Sequence, residues 1–182
     1  MTKLLVFVVF SLPIVWLSRR SLFSLRHHGL YRLVSWECIM WILINNYSFW
    51  FTDPFSTTQI ASWILLLLSL GLAISGAGLM KKIGGANASR TDDSLYRFER
   101  TTQLIETGIF RYVRHPLYSS LIFLTWGIFF KNINPYLFAV SMMGTISLFM
   151  TALVEEREDV KYFGNKYLDY MKRTKMFVPL MF

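Results

Sequence analysis

The sequence predicts an all-α fold, a polytopic membrane helical bundle of about five transmembrane helices followed by a cytoplasmic C-terminal amphipathic helix. The chain of 182 residues is 54% hydrophobic, and its mean hydropathy is +0.40, which is above the usual soluble mixture. This excess is concentrated in discrete apolar runs, and most Lys and Arg residues lie between alternate runs. Because one domain is typical of this length, residues 1–182 are predicted to form a single membrane domain.

The first three apolar runs cover residues 4–18, 33–51 and 60–79. The run 4–18 is interpreted as a retained span rather than a signal peptide, because Arg19 and Arg20 follow it and no small-residue cleavage site is present. The run 33–51 is long enough to span but carries Glu37, Asn45 and Asn46. The run 60–79 contains no charge and can cross a hydrocarbon core of about 30 Å as a helix.

The last two runs cover residues 117–130 and 135–154, and the turn sequence Asn132-Ile133-Asn134-Pro135 separates them. Residues 135–154 again contain no charge and predict a full span. Residues 117–130 would form only about 21 Å of helix, so this fourth span is predicted to use flanking residues. The charged pattern over 155–175 predicts the amphipathic helix at the cytoplasmic face.

The distribution of basic residues predicts the orientation. Seventeen of the nineteen Lys and Arg residues fall in the segments 19–32, 81–116 and 155–182. The positive-inside rule makes these segments cytoplasmic, so the N-terminus is predicted to be outside. The loop 81–103 would then face the cytoplasm as a possible lid.

Composition also excludes some classes of site. The single cysteine, Cys38, rules out an internal disulfide, and no Cys/His spacing suggests a zinc site. The net charge of +8 does not require nucleic acid as a partner, because membrane orientation explains where the basic residues lie.

A polar cluster precedes the fourth span. Pro116 suits the first position of a helix, and the residues before it would then present free backbone N–H groups at the positive helix end. Together with Arg111 and Arg114, this arrangement predicts a site for an anionic or polar group from the cytoplasm. The alternative is that the arginines reach lipid phosphates and His115 caps the helix.

Carboxylates follow the fifth span at Glu155 and Glu156. Neighbouring side chains on a helix point about 100° apart, so one carboxylate is predicted to face the bundle and one the water. A buried carboxylate needs a cation or a donor as partner; the alternative is a solvated helix end paired with Arg157 and Lys161. The small residues Gly76-Ala77-Gly78 permit close approach, either of another helix or of a ligand.

These residues together resemble a known superfamily. The resemblance rests on five short segments: Thr107-Gly108-Ile109-Phe110, Arg114-His115-Pro116-Leu117-Tyr118, Glu155-Glu156, Phe163-Gly164 and Phe177-Val178-Pro179. The C-terminal half resembles the isoprenylcysteine carboxyl methyltransferase and phospholipid methyltransferase superfamily. The resemblance covers about residues 95–180, within the cofactor-binding half 95–182, whereas residues 1–80 hold the three N-terminal spans. It implies an integral membrane methyltransferase that uses S-adenosylmethionine and faces the cytoplasm.

The resemblance also implies a site. The residues expected to bind the cofactor are Gln103, Leu104, Ile105, His115, Pro116, Leu117, Tyr118 and Glu155, with Gly76 and Gly78 as a Gly-x-Gly element. His115, Arg114 and Glu156 are expected to be catalytic, with His115 or Glu156 as the general base. Phe110 stands where relatives often have tyrosine, so a hydroxyl contact is lost there.

The acceptor is expected to be a lipophilic small molecule or lipid that enters from the bilayer. Isoprenylcysteine methyltransferases carry an arginine four residues before the first glutamate, where this chain has Thr151. Without that cation a buried acceptor carboxylate is disfavoured, unless Arg111 or Arg114 replaces it. Two alternatives remain at this point, an NADPH-dependent membrane reductase of the sterol reductase type and a non-catalytic membrane binding protein.

Overall fold

The computed structural model describes residues 1–22, 29–84 and 102–179, and in these ranges the fold is helical. The six α-helices are α1 Thr2–Leu22, α2 Gly29–Asn46, α3 Thr57–Ile83, α4 Pro116–Phe129, α5 Pro135–Phe163 and α6 Asn165–Arg173. Two short 3-10 helices cover Tyr47–Phe49 and Gly108–Arg111. Within the described ranges the extended pairing is limited to an isolated parallel bridge between Val113 and Lys175. The all-α prediction is confirmed.

The runs 4–18, 60–79 and 135–154 lie within α1, α3 and α5, and 117–130 matches α4 to within one residue at its end. The run 33–51 is longer than its helix, because α2 ends at Asn46 and a 3-10 helix follows. Two helices, α3 and α5, are long and apolar enough to cross a membrane, and Thr2–Trp16 and Pro116–Phe129 form shorter apolar helices. The count of five spans and their orientation remain predictions. The loop 81–103 falls mostly outside the described residues, so its role as a lid also stays a prediction.

The ends of the helices follow local sequence signals. Ser56 accepts a hydrogen bond from the Gln59 backbone N–H at the start of α3. Asn134 does the same for Tyr136 (2.8 Å), immediately before Pro135 begins α5. Side-chain acceptors at these positions satisfy donors that a helix start leaves unpaired, and the predicted turn between α4 and α5 is confirmed.

The amphipathic segment 155–175 is divided rather than continuous. Helix α5 continues to Phe163, Gly164 adopts φ +62° and ψ −138°, and α6 begins at Asn165. Positive φ is accessible to glycine at little cost, so the chain changes direction here. Tyr167 and Tyr170 of α6 are consequently buried against the bundle.

Small and polar residues hold the bundle together. Helices α3 and α4 approach closely at Gly127, where an added Cβ would lie 2.9 Å from Leu66. Beside this contact, the Ser62 hydroxyl donates to the Gly127 carbonyl (2.6 Å) and the Ser69 hydroxyl to the Ser120 carbonyl (2.7 Å). Such contacts are typical of helix association in apolar surroundings, and they set the position of the first turn of α4.

Candidate functional site

A C-terminal strap, residues 174–177, is fixed against the segment that leads into α4. The Lys175 N–H donates to the Tyr112 carbonyl (3.0 Å), the Arg114 N–H to the Lys175 carbonyl (2.8 Å) and the His115 N–H to the Met176 carbonyl (3.1 Å). The expectation of free N–H groups before Pro116 is therefore wrong for Arg114 and His115. These two backbone N–H groups donate to carbonyls of the strap and are therefore not free to bind an anion.

The guanidinium of Arg114 lies between α5 and the strap. Its Nε donates to Glu156 Oε1 at 2.6 Å, and its Nη1 donates to the carbonyls of Thr174 (2.5 Å) and Met171 (3.3 Å). The side chains of Arg114 and Glu156 are 9% and 8% exposed. A charge-assisted hydrogen bond of this kind satisfies the buried carboxylate of Glu156. Arg114 therefore already has its partners within the protein.

The imidazole of His115 lies between the two glutamates. Its Nε2 is 3.4 Å from Glu156 Oε1, and its Nδ1 is 4.0 Å from Glu155 Oε2. The ring stacks on Tyr118, with 5.5 Å between centroids. The prediction that one carboxylate faces the bundle and one the water is wrong, because both approach His115 and neither is fully exposed.

Two polar atoms at this point are left unsatisfied. His115 Nε2 and Glu155 Oε2 are buried and have no hydrogen-bond partner of acceptable geometry. Buried polar groups without a partner are rare in native proteins and call for an explanation such as an absent ligand or water.

Burial and charge set the ionisation of the surrounding groups. Glu156 lies beyond the apolar stretch 135–154; its burial would raise its pKa, but hydrogen bonding and charge from His115 and Arg114 lower the pKa overall. Burial raises the pKa of Tyr167 and Tyr170, so both stay neutral phenols. The Tyr170 hydroxyl donates to the Phe110 carbonyl (2.6 Å).

Two adjoining cavities open beside His115. The larger encloses about 480 Å³ including its mouth, and the smaller about 310 Å³. Both are lined by Met80, Phe110, Arg114, His115 and Glu155. Both volumes include solvent at the mouths of the cavities, so the pair forms open clefts beside His115.

The structure brings most of the predicted site residues together. Leu104, Ile105, Arg114, His115 and Glu155 line the larger cavity, and Pro116, Leu117 and Tyr118 complete the smaller one.

The remaining predicted residues lie outside the two linings. Gln103 is exposed, and Glu156 is buried behind His115 and Arg114. Gly76 packs on the start of α4, where an added Cβ would lie 3.2 Å from Pro116 Cγ, whereas Gly78 faces open space. The cofactor contacts of Gln103, Gly76 and Gly78 stay predictions.

Six further lining residues were not among the predicted site residues. They are Met80, Phe110, Asp159, Phe163, Tyr167 and Tyr170. Helical spacing provides the signal for two of them, since Asp159 and Phe163 follow Glu155 at intervals of four and therefore share its face of α5. Only the folding of α6 back onto this face reveals the two tyrosines, because no local pattern predicts the direction of the turn at Gly164.

The lining combines carboxylates with aromatic rings, a combination that suits an organic cation. Glu155 and Asp159 supply carboxylates, and Phe110, Phe163 and the two tyrosines supply aromatic rings. Cations are attracted both to carboxylates and to aromatic faces. Within the described residues there is no group of three or more His, Cys, Asp or Glu side chains that could hold a metal ion.

Comparison with known proteins identifies the family of the chain. The family model of phospholipid methyltransferases matches residues 57–166. Among curated proteins, methanethiol S-methyltransferase 1 of Bradyrhizobium diazoefficiens is 32% identical over 71 residues, and methanethiol S-methyltransferase of Pseudomonas deceptionensis is 30% identical over 71 residues.

These two matches are partial. Each covers 39% of this chain, and they cover 24% and 26% of the relatives, so the match spans about a quarter of the relatives' length. No solved structure matches significantly. The superfamily predicted from the motifs is nevertheless confirmed, because the family model covers α3, α4, α5 and the start of α6. The chain belongs to the phospholipid methyltransferase family.

Proposed function

We propose that the chain is an integral membrane methyltransferase that uses S-adenosylmethionine and methylates a lipophilic acceptor. The observation that carries this proposal is the His115 imidazole held between Glu155 and Glu156 at the wall of an acidic, aromatic cavity. Family membership supports methyl transfer as the reaction class.

The cavity residues fit such a cofactor. Glu155 Oε2 is buried without a partner, and an ammonium group or ribose hydroxyls would pair with it. Phe110 and Tyr167 present rings to a sulfonium or an adenine. When bound, S-adenosylmethionine supplies an activated methyl group on a positively charged sulfur.

The protein's own contribution is positioning and proton handling. Orientation of two reactants can supply about 7–11 kcal/mol of a reaction barrier. The His115 imidazole is the group that would take a proton from an acceptor N–H or S–H, with its Nε2 facing Glu156 Oε1 at 3.4 Å. Glu156, held by Arg114, stabilises the imidazolium that results. The buried Tyr167 and Tyr170 of α6 exclude water from the space beside His115.

The acceptor is neutral, or is an amine or a thiol, rather than a prenylcysteine acid. Thr151 is fully buried, and its hydroxyl donates to the Ser147 carbonyl (2.8 Å). Arg114 is occupied by Glu156 and the strap, and Arg111 is exposed. An acceptor carboxylate drawn toward Thr151 would therefore lack a cation. The two curated relatives are named for methylation of a thiol, which supports a thiol as one candidate.

Calorimetric titration of the detergent-purified chain tests the cofactor. S-adenosylhomocysteine is expected to bind with a saturable heat, and NADPH is not. Binding of NADPH alone would favour the reductase alternative, and binding of neither would favour a non-catalytic membrane protein.

Methyl transfer from radiolabelled S-adenosylmethionine tests the acceptor. We expect label in phosphatidylethanolamine or in small hydrophobic thiols. Robust turnover of a farnesylcysteine analogue alone would contradict the inference drawn from Thr151.

Reporter fusions test the topology of five spans with the site facing the cytoplasm. A reporter after Phe182 should be cytoplasmic and one inserted near Ser56 external. Finding both on the same side would reject the model.

A further inference from the structure

A second polar site lies within the apolar part of the bundle, on α2. The Ser11 hydroxyl of α1 donates to Glu37 Oε2 at 2.5 Å, but Glu37 Oε1 is buried without a hydrogen-bond partner. One turn further along α2, the indole N–H of Trp41 is also buried without a partner. An ionisable residue inside a membrane segment is costly and is a functional-site hypothesis by default.

Two other polar side chains of the same helix donate hydrogen bonds within the bundle, although Asn46 Oδ1 is, like Glu37 Oε1, buried without a partner. The Asn45 side-chain amide donates to the Trp41 carbonyl (2.8 Å), and the Asn46 amide donates to the Ile128 carbonyl of α4 (2.9 Å). These bonds explain why two asparagines occur in an apolar run. Glu37 and Trp41 differ from the asparagines in that both side chains line one cavity.

The side chains of Glu37 and Trp41 both line a cavity of about 430 Å³ between α1, α2 and the first half of α5. The rest of its wall is mostly apolar, with Phe7 on α1 and Val140 and Met143 on α5, although Tyr136 also lines it. Along α5, Met143 lies twelve residues before Glu155, which is about 18 Å of helix. The cavity is therefore distinct from the two beside His115.

We propose that this cavity binds an uncharged lipophilic alcohol, a molecule with an apolar body and one hydroxyl group. A hydroxyl both donates and accepts, so it would donate to Glu37 Oε1 and accept from the Trp41 N–H, which share one face of α2. An ammonium group only donates, and carrying its charge into the bilayer interior is costly. An alkane would satisfy neither group. This inference is independent of the proposed methyl transfer.

The test is equilibrium binding of tritiated hexadecanol to the full chain in phosphatidylcholine nanodiscs, with empty nanodiscs subtracted for partitioning. Hexadecane, hexadecyl methyl ether and hexadecylamine serve as competitors. We expect saturable binding of the alcohol and at least tenfold weaker competition by the other three. Equal competition by hexadecane, or stronger competition by the amine, would overturn the proposal, as would signal no larger than partitioning.

Two variants test the assigned groups. Glu37→Leu removes the acceptor, and Trp41→Phe keeps the ring but removes the N–H donor. Each is expected to weaken binding of hexadecanol at least tenfold while the purified protein remains monodisperse. Glu155→Gln, at the other site, is the control and should bind the alcohol as the wild type does. Unchanged binding by Trp41→Phe would by itself reject the paired hydrogen bonds.

Discussion

Two polar clusters at opposite ends of α4 differ in how completely their hydrogen bonds are made. At the C-terminal end, Lys131 is buried, with its Nζ 2.9 Å from Gln59 Oε1 and 3.6 Å from the centroid of the Trp63 ring. The Gln59 amide in turn donates to the Phe49 carbonyl (3.0 Å). At the N-terminal end, His115 Nε2 and Glu155 Oε2 have no such partners.

The comparison separates polar residues that build the bundle from those that serve a ligand. A satisfied buried network stabilises and specifies a fold, whereas an unsatisfied buried group calls for an explanation such as an absent ligand or water. Within one N-terminal cluster both kinds occur, because Arg114 and Glu156 are fully paired while their neighbours are not. Substitutions should therefore affect stability at some positions and affinity at others.

The largest expected effect is on stability, at Arg114. Arg114→Met leaves the Glu156 carboxylate buried without a cation and releases two carbonyls of the C-terminal end. Breaking a buried ion pair in this way costs about 3–5 kcal/mol, measured as the free energy of unfolding in detergent. Arg111→Met, at an exposed position, is the control. Equal losses in the two variants would show that the pair contributes little.

Acid should weaken the same pair. The pKa of Glu156 is lowered in the folded protein, so its contribution is complete above the usual glutamate pKa of about 4.3 and is lost as the pH falls through the lowered value. Unfolding curves of the wild type and Arg114→Met should therefore converge at low pH. A constant difference between them down to pH 2 would contradict this assignment.

A smaller loss is expected at the other end of α4. Lys131→Met leaves Gln59 Oε1 without its donor, and an unsatisfied buried acceptor costs about 1–3 kcal/mol. No opposite charge is left unpaired, which is why the loss is smaller than at Arg114. Binding of S-adenosylhomocysteine should not change. A change in that affinity would mean that the two clusters are coupled.

At the unsatisfied groups the expected effect is on affinity. His115→Ala and Glu155→Gln should each weaken binding of S-adenosylhomocysteine at least tenfold, about 1.4 kcal/mol. Glu155→Gln should change the free energy of unfolding by about 1 kcal/mol or less, whereas His115→Ala also leaves a cavity beside Tyr118 and should lose more. Arg157→Gln, exposed on the same helix, should behave as the wild type in the titration. Normal affinity in all three variants would place the cofactor elsewhere.

The smallest effect distinguishes the two glycines of α3. A Cβ at Gly76 would lie 3.2 Å from Pro116 Cγ and 3.3 Å from Leu117 Cδ2, whereas one at Gly78 meets nothing. Crowding of a packed contact should make Gly76→Ala less stable than Gly78→Ala by about 1 kcal/mol, measured by thermal unfolding. Equal stability would indicate that the start of α4 yields to the extra methyl group.

Much of the fold follows from composition, because apolar runs of helical length and turn residues define α1 to α5 directly. The site is only partly predictable in this way. Residues adjacent in sequence to Pro116 and Glu155 were found, because the motifs lie at helix ends. The pairing of residues 174–177 with the Arg114 segment depends on contacts between residues about 60 positions apart in the sequence. This pairing occupies the N–H groups that were predicted to bind an anion.

The strap has a consequence for how the site exchanges with its surroundings. The amide hydrogens of Arg114 and His115 are held by carbonyls of Lys175 and Met176, so they exchange with solvent deuterium only when the strap detaches. The exchange rates of these two amides therefore report how often the strap detaches. A molecule that stays bound only while the strap is attached must slow this exchange, even if it touches neither amide.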